Sequence, residues 1–293
     1  MKIRLIILFS SIAVIIAFAE CGGGGGGDDG GGGTNINVTF LGVTQSGGTS
    51  GTADSTGLVL TFDADPATMT ADNIGLTGAV KEGILSGTGT TRTLAISNIG
   101  VANEETVTVS ITSPDGYTIT GTPQTAVVYR LLAIGMDYLG GKIAYILQSG
   151  DPGYDAGVPH GLIAATADQS TGIVWALPAY QSTSVLGGTG TALGTGSANT
   201  DKIIAQNGVG STYAAGLARS YNGGGYTDWY LPSKDELNKL YLNRVAIGGF
   251  TDIYYWNSSE SLASYAWFQD FSDGTHNDNL KLNPVYVRAV RSF

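Results

Sequence analysis

The chain has 293 residues, 45 of them glycine, and only 13% are charged, with 24 acidic against 14 basic side chains and a formal net charge of −10. That length allows two domains, and a glycine-rich, charge-poor chain favours short strands and turns over helical bundles. The acidic balance excludes a nucleic-acid binder, which needs clustered positive charge. The single cysteine, Cys21, excludes an intramolecular disulfide, a cysteine-pair redox centre and a multi-cysteine metal site. Two histidines, His160 and His276, are too few for most zinc sites unless carboxylates join them.

At the start of the chain, Lys2 and Arg4 lead into LIILFSSIAVIIAFA. A charged start before an apolar core is the pattern of a secretory signal, and this run is short of the roughly 20 residues a spanning helix needs. Cys21 follows, then GGGGGGDDGGGG. The arrangement resembles a bacterial lipoprotein signal in the looser form of spirochaete lipoproteins. Glu20 stands where Ala or Gly is the rule, and Phe18 where Leu is usual. The resemblance implies a signal peptide over residues 1–20 and lipidation at Cys21. Residues 21–33 then read as a tether. They have too few side chains to pack, and a flexible coil of that size reaches roughly 20 Å.

Residues 34–130 alternate in short bursts: NVTFLGV, GLVLTFDA, RTLAISNI, ETVTVSIT and TAVVY, with Gly, Asp, Pro or Asn between them. Apolar residues two apart and turns about every ten residues predict a β-sandwich. The stretch from LVLTFDADPATM to TPQTAVVY resembles the immunoglobulin-like modules of bacterial surface proteins, which implies a spacer or stalk. Asp63, Asp65 and Asp72 are read as turn residues.

Residues 131–293 mix the two periodicities. KIAYIL, GLIAA and GIVWAL predict strands, and DKIIAQ a helix capped by Asn199 or Thr200. STYAAGLARSY predicts another helix. In TDWYLPSKDELNKLY, Pro232 blocks an earlier helix and Ser233 with Glu236 forms a capping box, so Leu237, Leu240 and Tyr241 share one face. Trp256, Ser258, Ser259 and Glu260 are expected as a structural anchor, with Glu260 paired to Arg288 or Arg291, and Trp267 is expected in the core. Near the end, the polar stretch SDGTHNDNLKLNP interrupts two strand-like runs, AWFQDF and VYVRAVRSF.

GGKIAYIL, HGLIAA, GYTDWYLPSKDELNKLY, YYWNSSES, YAWFQDF and VYVRAVRSF together resemble the C-terminal domain of the Legionella collagen-like adhesin family, once catalogued as DUF1566. WYLPSKDEL is also similar to a segment of formylglycine-generating enzymes, and the ending is similar to that of variable proteins diversified by retroelements. These resemblances imply a C-type-lectin-like fold, with the polar stretch on its outward face.

The fold class expected is therefore two-domain: an all-β immunoglobulin-like sandwich over 34–130 followed by an α+β C-type-lectin-like ligand-binding domain over 131–293. With no cysteine beyond Cys21, formylglycine chemistry does not carry over. No GxSxG elbow is present, and nothing in the sequence brings Ser258, His276 and an Asp together. Asp270, Asp273, Asn277, Asp278 and Asn279 are oxygen ligands suited to calcium. However, Trp267-Phe268-Gln269-Asp270 stands where sugar-binding lectins of that fold carry W-N-D. The reading is a binder without cofactor or metal, not an enzyme. The candidate ligand contacts are Asn257, Ser261, Tyr265, Gln269, Asp270, Asp273, His276, Asn277, Asp278, Asn279 and Asn283, since Tyr gives contact area and Asn or Ser hydrogen bonds at adaptable surfaces. The partner expected is an extracellular glycan or protein, with the membrane reached only through the lipid anchor. A structural envelope lipoprotein is the alternative.

Overall fold

The computed structural model describes residues 35–293; the expected signal peptide, Cys21 and the glycine tether lie outside them. The first eight strands are β1 (Ile36–Ser46), β2 (Gly57–Phe62), β3 (Ile74–Thr77), β4 (Val80–Ser86), β5 (Thr91–Ser97), β6 (Thr106–Ile111), β7 (Tyr117–Thr120) and β8 (Gln124–Val127). They form two sheets, ordered β4-β5-β2-β1-β7 and β3-β6-β8. Side chains alternate across a strand, so Leu58, Leu60 and Phe62 of β2 and Val107 and Val109 of β6 point into one shared core. In β1 the inward set is Val38, Phe40 and Val43. The change of phase is made by a bulge between Phe40 and Gly42. Phe40 and Phe62 stack there at 5.3 Å. Three strands, β3, β4 and β7, fall outside the bursts read from sequence; β4 buries no residue fully, which leaves it without an apolar alternation.

The segment after β8 is fastened to the first region. Arg130 N donates to Asn103 Oδ1, Leu131 N to Asp54 Oδ1 and Leu132 N to Gly51 O. Asn35–Phe293 makes one compact unit.

The rest of the chain adds β9 (Asp137–Tyr138), β10 (Gly141–Ile146), β11 (Gly161–Ala164), β12 (Ser170–Ile173), α1 (Gly196–Asn207), α2 (Ala214–Ser220), α3 (Lys234–Leu242), α4 (Arg244–Ile247), β13 (Tyr254–Leu262), β14 (Tyr265–Asp270), β15 (His276–Leu280), β16 (Val285–Val287) and β17 (Val290–Ser292). The sheets are β17-β11-β10-β9 and β12-β16-β13-β14-β15. The protein is thus mostly β, with several sheets and few helices. One core surrounds Trp175, Trp229 and Trp256; another, under α3, is built from Tyr230, Leu237, Leu240, Tyr255 and Phe271.

Helix α3 starts as its sequence dictates. Ser233 Oγ accepts from Glu236 N, and Glu236 Oε2 accepts from Ser233 N at 2.7 Å. Such a cap contributes about 1 kcal/mol. Glu236 is fully buried, and burial pushes its carboxyl above the usual range. Its other oxygen takes Gly194 N at 2.9 Å, just before α1. A Cβ at Gly196 would lie 2.1 Å from Glu236 Oε2, so this turn requires glycine.

Three expectations are corrected here. Helix α1 begins at Gly196, so Asn199 and Thr200 lie inside it and are buried. Their side chains bind loops instead: Asn199 bridges Gly190 and Ser258, and Thr200 takes Leu231 N. The strand expected through GIVWAL stops at Ile173, because Trp175 turns inward and donates Nε1–H to Asn257 O. Glu260 pairs with neither arginine; its partner is Lys281, which is fully buried. Arg288 holds Asp168 at 2.7 Å, and Arg291 grips Asp228 with two hydrogen bonds at 2.8 and 2.9 Å.

Candidate functional site

The polar stretch near the C-terminus is an edge strand. Residues His276–Leu280 form β15 and pair antiparallel with β14: Tyr265 opposite Leu280, Trp267 opposite Asp278, Gln269 opposite His276. Cross-strand partners share a face. On one face of β14, Ala266 and Phe268 enter the tryptophan core. On the other, Tyr265, Trp267 and Gln269 stand with Asp278 and His276, and α3 packs over this side.

The start of α3 is fixed to that face. Lys234 N donates to Ser259 Oγ at 3.1 Å, and Gln269 Nε2 donates to Asn238 Oδ1 at 2.9 Å. The Lys234 ammonium lies 3.6 Å from the centroid of the Trp267 ring. An ammonium over an indole is worth about 0.5–1 kcal/mol where water reaches it. Trp267 is half-buried, so the core role expected for it is corrected. Its neighbours Ala266 and Phe268 point inward, which leaves position 267 facing out. At the rim, Ser261 Oγ donates to Asp278 at 2.6 Å.

Beneath the rim, polar atoms are left unpaired. Gln269 Oε1, His276 Nδ1 and Asn257 Nδ2 are buried without a hydrogen-bond partner. Gln269 and His276 are direct neighbours across the ladder. Asn257 follows Tyr255 by two residues on β13, which by alternation puts it on the α3 side. Burial, with the Lys234 charge adding to it, holds the His276 imidazole below its ordinary pKa; Asp235 pulls the other way.

Of the residues expected as contacts, Ser261, Tyr265, His276 and Asp278 come together on this face. Asn257 and Gln269 are fully buried, a correction to their expected exposure. Their side chains are taken up by Ser259 N, Asn238 and Gly274 O. Asn277 and Asn279 point to the opposite side of the sheet. Asp270 and Asp273 fold back on their own turn, each accepting both the backbone N–H and the hydroxyl of the residue two further on. Asn283 binds Asn279 at 2.7 Å. Lys234, Asn238 and Trp267 were not foreseen at the site. The alternation of Ala266 and Phe268 signals Trp267; nothing in the sequence tells that α3 crosses this strand. Among the described residues no group of three or more His, Cys, Asp or Glu is placed to hold a metal ion.

This half of the chain also has a counterpart among known families. Residues 164–291 match the family model of the Lcl C-terminal domain. The Lcl match covers α1 to α4 and β12 to β16, and so includes every side chain of the face. No curated protein matches the chain. Among solved structures, a fimbrial protein from Bacteroides ovatus aligns over 87% of this chain and 70% of its own, with 14% identity and a TM-score of 0.36. A likeness that low carries no argument.

Proposed function

We propose that the chain is a cell-surface lipoprotein that binds an extracellular glycan or protein non-covalently, in the manner of an adhesin. The face of β13–β15 under α3 is its binding surface. The observation that carries this reading is a half-exposed tryptophan capped by Lys234, with Tyr265, Ser261 and Asp278 at its rim. Such a surface offers a ligand aromatic contact area from the indole and tyrosine rings and hydrogen bonds from the serine and aspartate. The Lcl match supports the adhesin-like reading. In this proposal residues 34–130 are an immunoglobulin-like stalk and residues 131–293 a C-type-lectin-like head, which is not an enzyme and uses no cofactor. No described helix is long and apolar enough to cross a membrane; the anchor proposed is lipid on Cys21. The likeness to retroelement-diversified proteins extends the proposal to a variable β15. A nearby reverse-transcriptase gene with an imperfect copy of this coding segment tests that extension.

The binding reading is tested by probing glycan and protein arrays with the full chain. Selective, saturable binding to one glycan or protein class supports it. Binding confined to proteins of the cell's own envelope favours a structural component instead. Anchoring is tested by palmitate labelling of the wild type against Cys21→Ala; equal labelling of the two removes the lipid anchor from the account.

A further inference from the structure

A pocket of about 260 Å³ opens on the sheet β17-β11-β10-β9, away from the face of β13–β15. Its walls are mostly apolar, with Leu147, Leu162, Leu193 and Phe293 among them, and its polar side chains are His160 and Ser292. Ser292 stands opposite Leu162 across the ladder, and His160 precedes Leu162 by two residues, so alternation brings all three to one side.

Both polar groups present acceptors. His160 Nδ1 lies 3.2 Å from Phe293 O. A carbonyl oxygen only accepts, so Nδ1 carries the hydrogen, and the tautomer this contact selects has its lone pair on Nε2. Nε2 makes no hydrogen bond among the described residues. Tyr230 OH donates to Glu236 Oε1 at 3.4 Å and lies 2.9 Å from Ser292 Oγ. Either hydroxyl can donate across the shorter contact, and the serine oxygen keeps a lone pair in both cases. The walls are preformed. Asp151 Oδ2 ties the 147–153 loop to Tyr145 OH at 2.6 Å and Gln148 N at 2.8 Å, and Glu236 holds Gly194 N.

We infer that this pocket binds a small aromatic molecule carrying one N–H or O–H donor, the ring lying among Leu147, Leu193 and Phe293 and the donor meeting His160 Nε2. Its volume is below the roughly 300–1,000 Å³ of sites for drug-sized molecules, which makes the ligand a fragment of indole or phenol size.

The test titrates indole into the full chain and follows the two imidazole signals by NMR. The chain has only His160 and His276, so His276 is an internal control. The expected result is a saturable shift of the His160 signal with His276 unmoved, weakened by up to roughly tenfold for 1-methylindole, which lacks the donor. Leu193→Trp fills the pocket and removes the shift. Should that variant fail to fold, Pro152→Trp on the exposed loop blocks the pocket from the other side. The inference is overturned if neither histidine shifts, if both shift together, if 1-methylindole binds as well as indole, or if a folded blocking variant still responds.

Discussion

The two regions of this molecule are both assembled from short strands, yet different forces hold them. Residues 36–127 bury two polar or charged side chains, Ser55 and Arg92; residues 131–293 bury twelve, including Lys281, Arg288 and Glu236. The first core is closed mainly by alternation, one apolar side chain after another from facing sheets. In the second, loops are fixed by side chains reaching through the interior: Asn199 to Gly190 and Ser258, Glu236 to Gly194, Lys281 to Thr183 O and Ala263 O. An alternating core gives a regular body. A core with internal hydrogen bonds holds irregular segments in one place, which is what a recognition surface made of loops and edge strands requires.

The largest effect separating the regions is expected from Trp256→Ala. It empties a fully buried site and leaves Ile173 O without its donor at 2.9 Å. Loss of about 3–5 kcal/mol is expected, read by chemical denaturation. A loss below about 1 kcal/mol would mean that the tryptophan core does not carry the second region.

The ion pair between Lys281 and Glu260 comes next. Lys281→Met strands a nearly buried carboxylate, and removing one partner of such a pair costs about 3–5 kcal/mol. Adding Glu260→Gln should restore most of that loss, since neither charge is then left alone. Equal stability of the single and double variants would show that the pair is not what fixes the 183–185 loop to β13.

His276 gives a smaller effect with a definite sign. The unfolded chain takes up a proton near the ordinary value of 6.5, the folded one only at lower pH. Unfolded protein therefore binds more protons in that window, and stability falls as pH falls below about 6.5. His276→Gln should flatten this part of the melting-temperature profile between pH 7 and 5. A profile identical to the wild type would remove His276 from the account. Smallest of all is Trp267→Ala: with the ring half-exposed and its Lys234 contact worth about 0.5–1 kcal/mol, the fold should survive nearly unchanged. Independence of the regions is a sharper form of the same comparison. Residues 131–293 expressed alone should retain a near-UV circular dichroism spectrum; its loss would make the first region a necessary support.

Much of this was legible in the sequence. Inward positions of β2, β5 and β6 follow from alternation, those of β1 only as far as its bulge after Phe40, and Ser233 with Glu236 marks the start of α3. The site was legible in part: Ser261, Tyr265, His276 and Asp278 can be picked out as polar or amphipathic residues flanking AWFQDF. Asn257 and Gln269 could not be separated from them, because an amide looks the same in sequence whether it meets water or a helix packed above it. Lys281 reads as a solvated lysine until the chain folds Glu260 against it, 21 positions apart. Trp267 is expected in the core, although its buried neighbours at 266 and 268 set its direction outward.

The central claim is that the face under α3 binds and is dispensable for folding. The most direct measurement is array binding and melting temperature on the same samples of wild type and Trp267→Ala. The account predicts a melting temperature within a few degrees of wild type and at least a tenfold loss of the bound signal. An unchanged signal from the folded variant, or a variant that unfolds outright, would contradict it.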